Sequence, residues 1–250
     1  MTRHLSIVTG SSRGLGRAVV EQLLARGHHV LALARADTDL RVPPGAALQA
    51  WRVDLADPIA VAERLGAWLQ ALDGAACASV SLINNAGVVS TPDTLANSDL
   101  HELSNALRVG LEAPLLLSAA FLRATVGWAC PRKLLLVSSG LGRRAMAGSA
   151  SYCAAKAGMD HLARALALEE ADRPNGARVV SLAPGVIDTD MQVQLRNADA
   201  KRFPERARFQ GLKDGGLLDS PAQAATKLLQ ALDRADFGSN PVGDVRELAS

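Results

Sequence analysis

The chain has 250 residues, 48% hydrophobic and 21% charged, with a net charge of +2, which is enough to bury one full core and too little basic excess to select nucleic acid or an anionic membrane. A small molecule is therefore the default partner. The opening MTRHLSIVTGSS passes straight into a short apolar run and a glycine turn without a signal-peptide pattern, and no later stretch reads as long enough to span a bilayer. Cys77, Cys130 and Cys153 stand far apart with no C-x-x-C spacing, which argues against a disulfide framework or a metal site and favours a cytoplasmic protein. Cys153 is read as a small packing residue.

Short apolar runs recur at 5–8 (LSIV), 30–34 (VLALA), 48–53 (LQAWRV), 80–84 (VSLIN), 134–138 (LLLVS) and 178–183 (RVVSLA), and these predict six strands. Helical patterns, with apolar residues three and four apart, occupy 15–26, 57–72, 99–126, 151–171 and 220–233. The alternation predicts an α/β fold of Rossmann type, a doubly wound parallel sheet with helices on both faces. Strands that are apolar throughout agree, because such a sheet shows neither face to water. After residue 184 the regularity breaks, and the charged, glycine-marked stretch RNADAKRFPERARFQGLKDGG makes 189–218 an expected lid over a site. No repeat or linker divides the chain, so 1–250 is read as one domain.

In VTGSSRGLGRAVV, Gly10, Gly14 and Gly16 fall between the first strand and the first helix, with Ser12, Arg13 and Leu15 among them. The backbone there must turn tightly, let a ligand approach and let helix pack on strand, and glycine permits all three. The helix amino terminus then offers free N–H groups to a pyrophosphate. At the end of the second strand, where dinucleotide folds often carry an acid, LALARAD supplies Arg35. A guanidinium there, with Arg13 beside it, suits a ribose 2′-phosphate and favours NADP(H) over NAD. Asp37, two residues on, is the alternative partner for a ribose.

Tyr152 is the only tyrosine in the sequence and Lys156 follows it at i+4, on the same helix face. A phenol titrates near 10, so a nearby ammonium is expected to favour its ionised form and make it a usable acid/base. Ser139 stands thirteen residues before Tyr152, just past the fifth strand. That is the edge where open α/β sheets bind ligands, and a hydroxyl there can polarise a substrate carbonyl.

The glycine turn followed by Ser139, Tyr152 and Lys156 at this spacing resembles the short-chain dehydrogenase/reductase family over essentially the whole chain. The resemblance implies that Tyr152 is the acid/base, Ser139 orients the carbonyl, and Lys156 holds the nicotinamide ribose and tunes the tyrosine. It implies cofactor contacts from Asp54 and Leu55 after the third strand, where Asp54 also reads as a helix cap. It implies further contacts from Asn85, Ala86 and Gly87 in NNAG, and from Pro184, Gly185, Ile187 and Thr189 in PGVIDT. It also implies a homodimer or homotetramer. One departure stands out: Gly110, in RVGLEAP, occupies the place of a family asparagine that supports a water relay behind the lysine, and Asn105 is too far round the helix to replace it.

SYCAAKAGMDHLARALALEE, APGVIDTDMQ and GLKDGGLLDSPAQAATKLLQAL resemble the sepiapterin reductase and benzil reductase branch. The substrate expected from this is a small ketone or 1,2-dicarbonyl compound, with Leu141, Val89, Met191 and Gln192 as pocket walls. Asp244 is either a turn residue or the carboxylate that holds a pterin. The alternative, drawn from Gly110, is a cofactor-binding sensor that has lost turnover.

Overall fold

The structure is a computed structural model, and it describes residues 2–247. Seven strands form one parallel sheet: β1 (Arg3–Thr9), β2 (His29–Ala34), β3 (Ala47–Arg52), β4 (Cys77–Asn84), β5 (Arg132–Val137), β6 (Arg178–Ala183) and β7 (Val242–Asp244), in the order β3-β2-β1-β4-β5-β6-β7. The order reverses between β1 and β4, so the crevice for a ligand lies over the carboxyl ends of those strands. The family of structures is the doubly wound α/β sheet that strand and helix alternation predicts.

Two apolar layers hold the sheet. On one face α2 (Pro58–Gln70), α4 (Ala113–Thr125) and α5 (Ala150–Ala171) bury Leu65, Leu69, Leu117, Phe121, Met159 and Ala163 against Ile7, Leu82 and Leu134. On the other, α1 (Gly14–Ala25) packs on α8 (Pro221–Asp233) and closes over Val8, Ile83, Leu135 and Val180. Successive strand residues therefore point into different cores, which is why these strands are largely apolar on both faces, with Ser6, Ser81 and Ser181 buried among them. β3 departs from that pattern because it is an edge strand: only Trp51 of its six residues is buried.

Three further differences have local causes. The predicted six strands omit β7, whose three residues extend the sheet beside β6 at Ser181, Leu182 and Ala183. The pattern read as one helix over 99–126 is α3 (Leu100–Leu107), a π-helical turn at Arg108–Glu112 and α4. Gly110 lies in that turn, where a Cβ would stand 3.1 Å from Ala155 Cβ of α5. Leu100–Thr125 is also long and apolar enough to cross a membrane, against the expectation from sequence, but Ala113, Leu117 and Phe121 are buried in the core.

Beneath the sheet, at the amino end of β5, the Arg132 guanidinium is buried and donates to Glu170 Oε2 at 2.9 Å and to the Asn175 carbonyl at 3.0 and 3.2 Å. Glu170 also accepts from the Ala177 N–H at 2.8 Å. This ion pair joins β5 to the end of α5 and the loop into β6.

Candidate active site

β1 ends in the tight turn expected of it. Gly10 and Gly14 sit at φ +69° and +53°, a left-handed conformation that glycine reaches without a Cβ clash. A Cβ on Gly16 would overlap the Gly10 carbonyl oxygen, so the helix approaches the turn at a distance other residues cannot match. The Thr9 hydroxyl accepts from the Asn85 and Ala86 N–H groups at 2.9 Å each, and Asn85 Nδ2 donates to the Thr9 carbonyl at 2.9 Å. Asn85 thus braces the glycine turn against β4. α1 then starts at Gly14 with no side-chain cap, because Arg13 fills the N-cap position; its first N–H groups remain open to a ligand.

A cavity of about 1050 Å³ extends from this turn along the carboxyl edge of the sheet to the segment after β6. The expected turn residues Gly10, Ser12, Arg13, Gly14, Leu15 and Gly16 all line it, as do Arg35, Asp54, Leu55, Asn85, Ala86 and Gly87. Gly185, Ile187 and Thr189 line it too. Pro184 is the exception in that loop, buried behind it with its neighbours Ala183 and Gly185 on the cavity. Arg35 is exposed on the cavity rim, with no ion pair or side-chain hydrogen bond among the described residues, whereas Arg13 pairs with Asp190 at 2.9 Å on the surface. Asp37 does not reach the cavity. Asp54 lines it and accepts from the Ala56 N–H at 3.0 Å within the turn ahead of α2, but it is not the helix cap, a position that Asp57 holds.

Ser139, Tyr152 and Lys156 come together on the same cavity. Ser139 leaves β5 in extended backbone and its Oγ accepts from the Leu141 N–H at 3.2 Å, capping the Gly140–Gly142 turn. Tyr152 and Lys156 share one face of α5 near its start. Burial pushes the Tyr152 phenol up to about 12, against a lowering from its hydrogen bond with Ser139. Burial likewise lowers the Lys156 ammonium to about 8, while Asp160 acts to raise it. The expected lowering of the phenol by the lysine is not what the protein provides. Lys156 Nζ lies 5.5 Å from the tyrosine ring centre and donates to the Val137 carbonyl at 2.7 Å, so desolvation prevails and the tyrosine is held in its protonated form.

The segment after β6 folds back over the cavity as α6 (Asp190–Arg196) and α7 (Arg206–Asp214), where sequence shows only a charged excursion. Leu195, Phe203 and Phe209 of this segment pack with Leu141 and Met146, and Tyr152 and Met191 adjoin them. Leu141, Met191 and Gln192 are pocket walls as expected. Val89 is not; the adjoining Val88 faces the cavity instead. Phe209, Leu212 and Arg246 are walls that sequence reasoning missed: the first two approach through the fold-back of α7, and Arg246 through the chain just after β7. Asp244 lines the cavity but is buried and occupied: Arg246 donates to it at 2.6 and 2.8 Å, and Arg143 Nη2 stands 3.6 Å away. Burial raises its carboxyl, yet these cations bring it below the usual carboxylate range.

A glycine turn at the point of sheet reversal, opening into one cavity with a serine, a tyrosine and a lysine, defines an oxidoreductase on a dinucleotide-binding sheet. The family model described as short chain dehydrogenase matches residues 5–200, and the chain belongs to that family. Its relatives include the benzil reductase ((S)-benzoin forming) of Bacillus subtilis, 33% identical over 244 residues that cover 98% of this chain and 99% of the relative. They also include the sepiapterin reductase of Rattus norvegicus, 33% identical over 248 residues that cover 93% of this chain and 92% of the relative. Among solved structures, a metagenomic short-chain oxidoreductase in complex with NADP is 25% identical with a TM-score of 0.71, covering 97% of this chain and 95% of that one.

Proposed function

We infer that the chain is an NADPH-dependent carbonyl reductase that acts on a small ketone or 1,2-dicarbonyl compound of the benzil type. The observation that carries this reading is the meeting of Ser139, Tyr152 and Lys156 on a cavity continuous with the glycine turn. The cradle fits a dinucleotide: Gly10, Gly14 and Gly16 line it without side chains, the start of α1 is uncapped, and Arg35 has a guanidinium to offer a 2′-phosphate. Bound there, NADPH supplies the hydride. The chain's own residues do the rest. Ser139 donates a hydrogen bond to the carbonyl oxygen as negative charge grows on it, and Tyr152, protonated at neutral pH, delivers the proton to that oxygen. Lys156 holds the ribose hydroxyls and a positive charge behind the phenol. α6 and α7 act as the lid, excluding water with Met191, Leu195 and Phe209. The exposed Leu100, Leu107, Leu115 and Leu168 on α3, α4 and α5 support assembly as a homodimer. The sensor alternative gains nothing from this geometry.

Between the two relatives' substrates the cavity favours the diketone. Leu141, Met191, Leu195 and Phe209 give its substrate end an apolar wall beside Gln192, and Asp244, the carboxylate expected to hold a pterin, is already paired with Arg246. With NADPH, benzil is expected to be reduced at least tenfold more efficiently than sepiapterin, on the scale of one unpaired polar group. Absorbance at the reduced nicotinamide band checks this, and equal kcat/KM for the two would remove the basis for the choice. Arg35→Ala is expected to raise KM for NADPH about tenfold or more while leaving NADH use nearly unchanged. Parallel KM measurements with both cofactors decide it, and a proportional loss with NADH would show that Arg35 does not read the 2′-phosphate.

A further inference from the structure

One buried carboxylate has no part in the reaction as described. Asp160 follows Lys156 by one turn on α5 and is 2% exposed. Its Oδ1 accepts from Ser138 Oγ at 2.6 Å, just after β5, and from Ser181 Oγ at 2.7 Å, in the carboxyl half of β6. Its Oδ2 has no hydrogen-bond partner and faces Arg143 Nη1 at 3.5 Å. Gly142, in the turn that follows Ser139, is pressed onto the same place: a Cβ there would stand 2.6 Å from Asp160 Oδ2 and 2.9 Å from the Lys156 carbonyl. Arg143 continues to the Gly243 carbonyl at 3.2 Å and to Asp244 on β7. A buried charge is costly, and an apolar residue would fill the position at less expense. Apart from Ser181 of β6, the groups around it flank the reacting residues: Ser138 adjoins Ser139, Arg143 lies four residues after it, and Lys156 is one turn away.

We propose that Asp160 is a positioning residue of the active site, a single buried carboxylate that locks the serine turn after β5 and the carboxyl half of β6 onto the helix carrying Tyr152 and Lys156. The proposal rests on the reading of Ser139, Tyr152 and Lys156 as the reacting trio. It has an electrostatic consequence as well. Around Lys156, α5 itself contributes Asp160 and the neutral Tyr152. The turn before α5 contributes Arg143, β7 contributes Asp244 paired with Arg246, and β6 contributes the neutral Ser181. β5 contributes the Val137 carbonyl, and its Arg132 and Lys133 lie at the opposite end of the strand. His101 and Glu102 of α3, Arg108 and Glu112 of the π-helical turn, Arg123 of α4, and His161 and Arg164 further along α5 are exposed, and screened accordingly. Asp160 is thus the buried anion that keeps Lys156 protonated, and Arg143 moderates it.

The test reads Lys156 directly. The chain has five lysines, so carbon-13 labelling at their side chains gives a resolvable NMR titration in which Lys156→Arg assigns the signal. Asp160→Asn is expected to move the Lys156 midpoint down by about one pH unit, and Arg143→Gln to move it up by a smaller amount. In benzil reduction with NADPH, Asp160→Asn is expected to lose about tenfold in kcat with KM for NADPH within about twofold, because misplacement of the reacting groups costs turnover first. Its alkaline limb should move with the NMR midpoint. A midpoint unmoved in both variants would overturn the proposal. So would Asp160→Asn losing thermal stability alone, with kcat and midpoint intact, since that marks a packing residue. If Asp160→Asn does not fold, the upward shift in the part-exposed Arg143→Gln still decides. Absence of benzil turnover in the parent chain would count against the carbonyl reductase reading, and the NMR midpoints would judge Asp160 without it.

Discussion

Replacing Tyr152 with phenylalanine is expected to lower kcat for carbonyl reduction by roughly 10² to 10⁴, the range a positioned general acid supplies. The ring packs beside Leu141, Phe203 and Phe209, and the phenol's hydrogen bond is with Ser139 of the same site, so the variant should keep its fold, its melting temperature and its affinity for NADPH. The pH dependence sharpens the prediction. A phenol held at about 12 carries its proton throughout the neutral range, which is the state needed to donate during reduction. The limiting group on the alkaline side is then Lys156: its ammonium, lowered to about 8, is present below that pH and lost above it. Reduction should therefore be level through neutrality and fall as pH rises past about 8, while oxidation of the product alcohol, which needs the phenolate, should gain with pH. Steady-state rates in both directions from pH 6 to 10 check this. Residual reduction by Tyr152→Phe within about threefold of the parent would assign the proton to another group.

Glu170→Ala is expected to be the most damaging single change to stability away from the cavity. It leaves the Arg132 guanidinium, 2% exposed, without its counter-charge, and breaking a buried pair in this way costs about 3–5 kcal/mol. In a domain of this size that corresponds to a fall in melting temperature on the order of 10 °C. The Asn175 carbonyl still accepts from Arg132 and softens the loss without supplying charge. Arg132→Met combined with Glu170→Leu should be more stable than Glu170→Ala alone, since apolar replacement of both partners removes the stranded charge. Thermal unfolding of the three proteins separates the cases, and a double variant worse than the single would show that the pair itself stabilises the join of β5, α5 and β6.

Much of this molecule is legible in its sequence because the strongest signals are local. Strands between two cores are largely apolar on both faces, and a glycine turn needs residues free of Cβ, so β1, β4 and the start of α1 announce themselves. β7 does not, because three residues with a glycine at the centre carry too little pattern, and its pairing with β6 supplies the order. The π-helical turn is hidden for a different reason. One extra residue per turn shifts the apolar face gradually, and Val109, Ala113 and Leu117 continue to satisfy a helical period across it. Spacing also has a limit at the site: i+4 puts Lys156 on the same face as Tyr152 but does not say where its ammonium points, and the Val137 carbonyl decides that. Asp244 could be foreseen at the pocket, but not the Arg246 that engages it two residues later.

Gly110 makes α3, the π-helical turn and α4 a surface that seats directly against Ala155, next to Lys156 in the chain. Adding the asparagine that the family resemblance implies would not simply complete a relay, because its first carbon would stand 3.1 Å from Ala155 Cβ on the neighbouring helix. The new side chain would act as a wedge between two rods, and the rod it displaces carries the lysine and the tyrosine. Any redesign of proton supply in this scaffold must therefore begin with the helix spacing, for instance by shortening residue 155, before a polar group is introduced at residue 110.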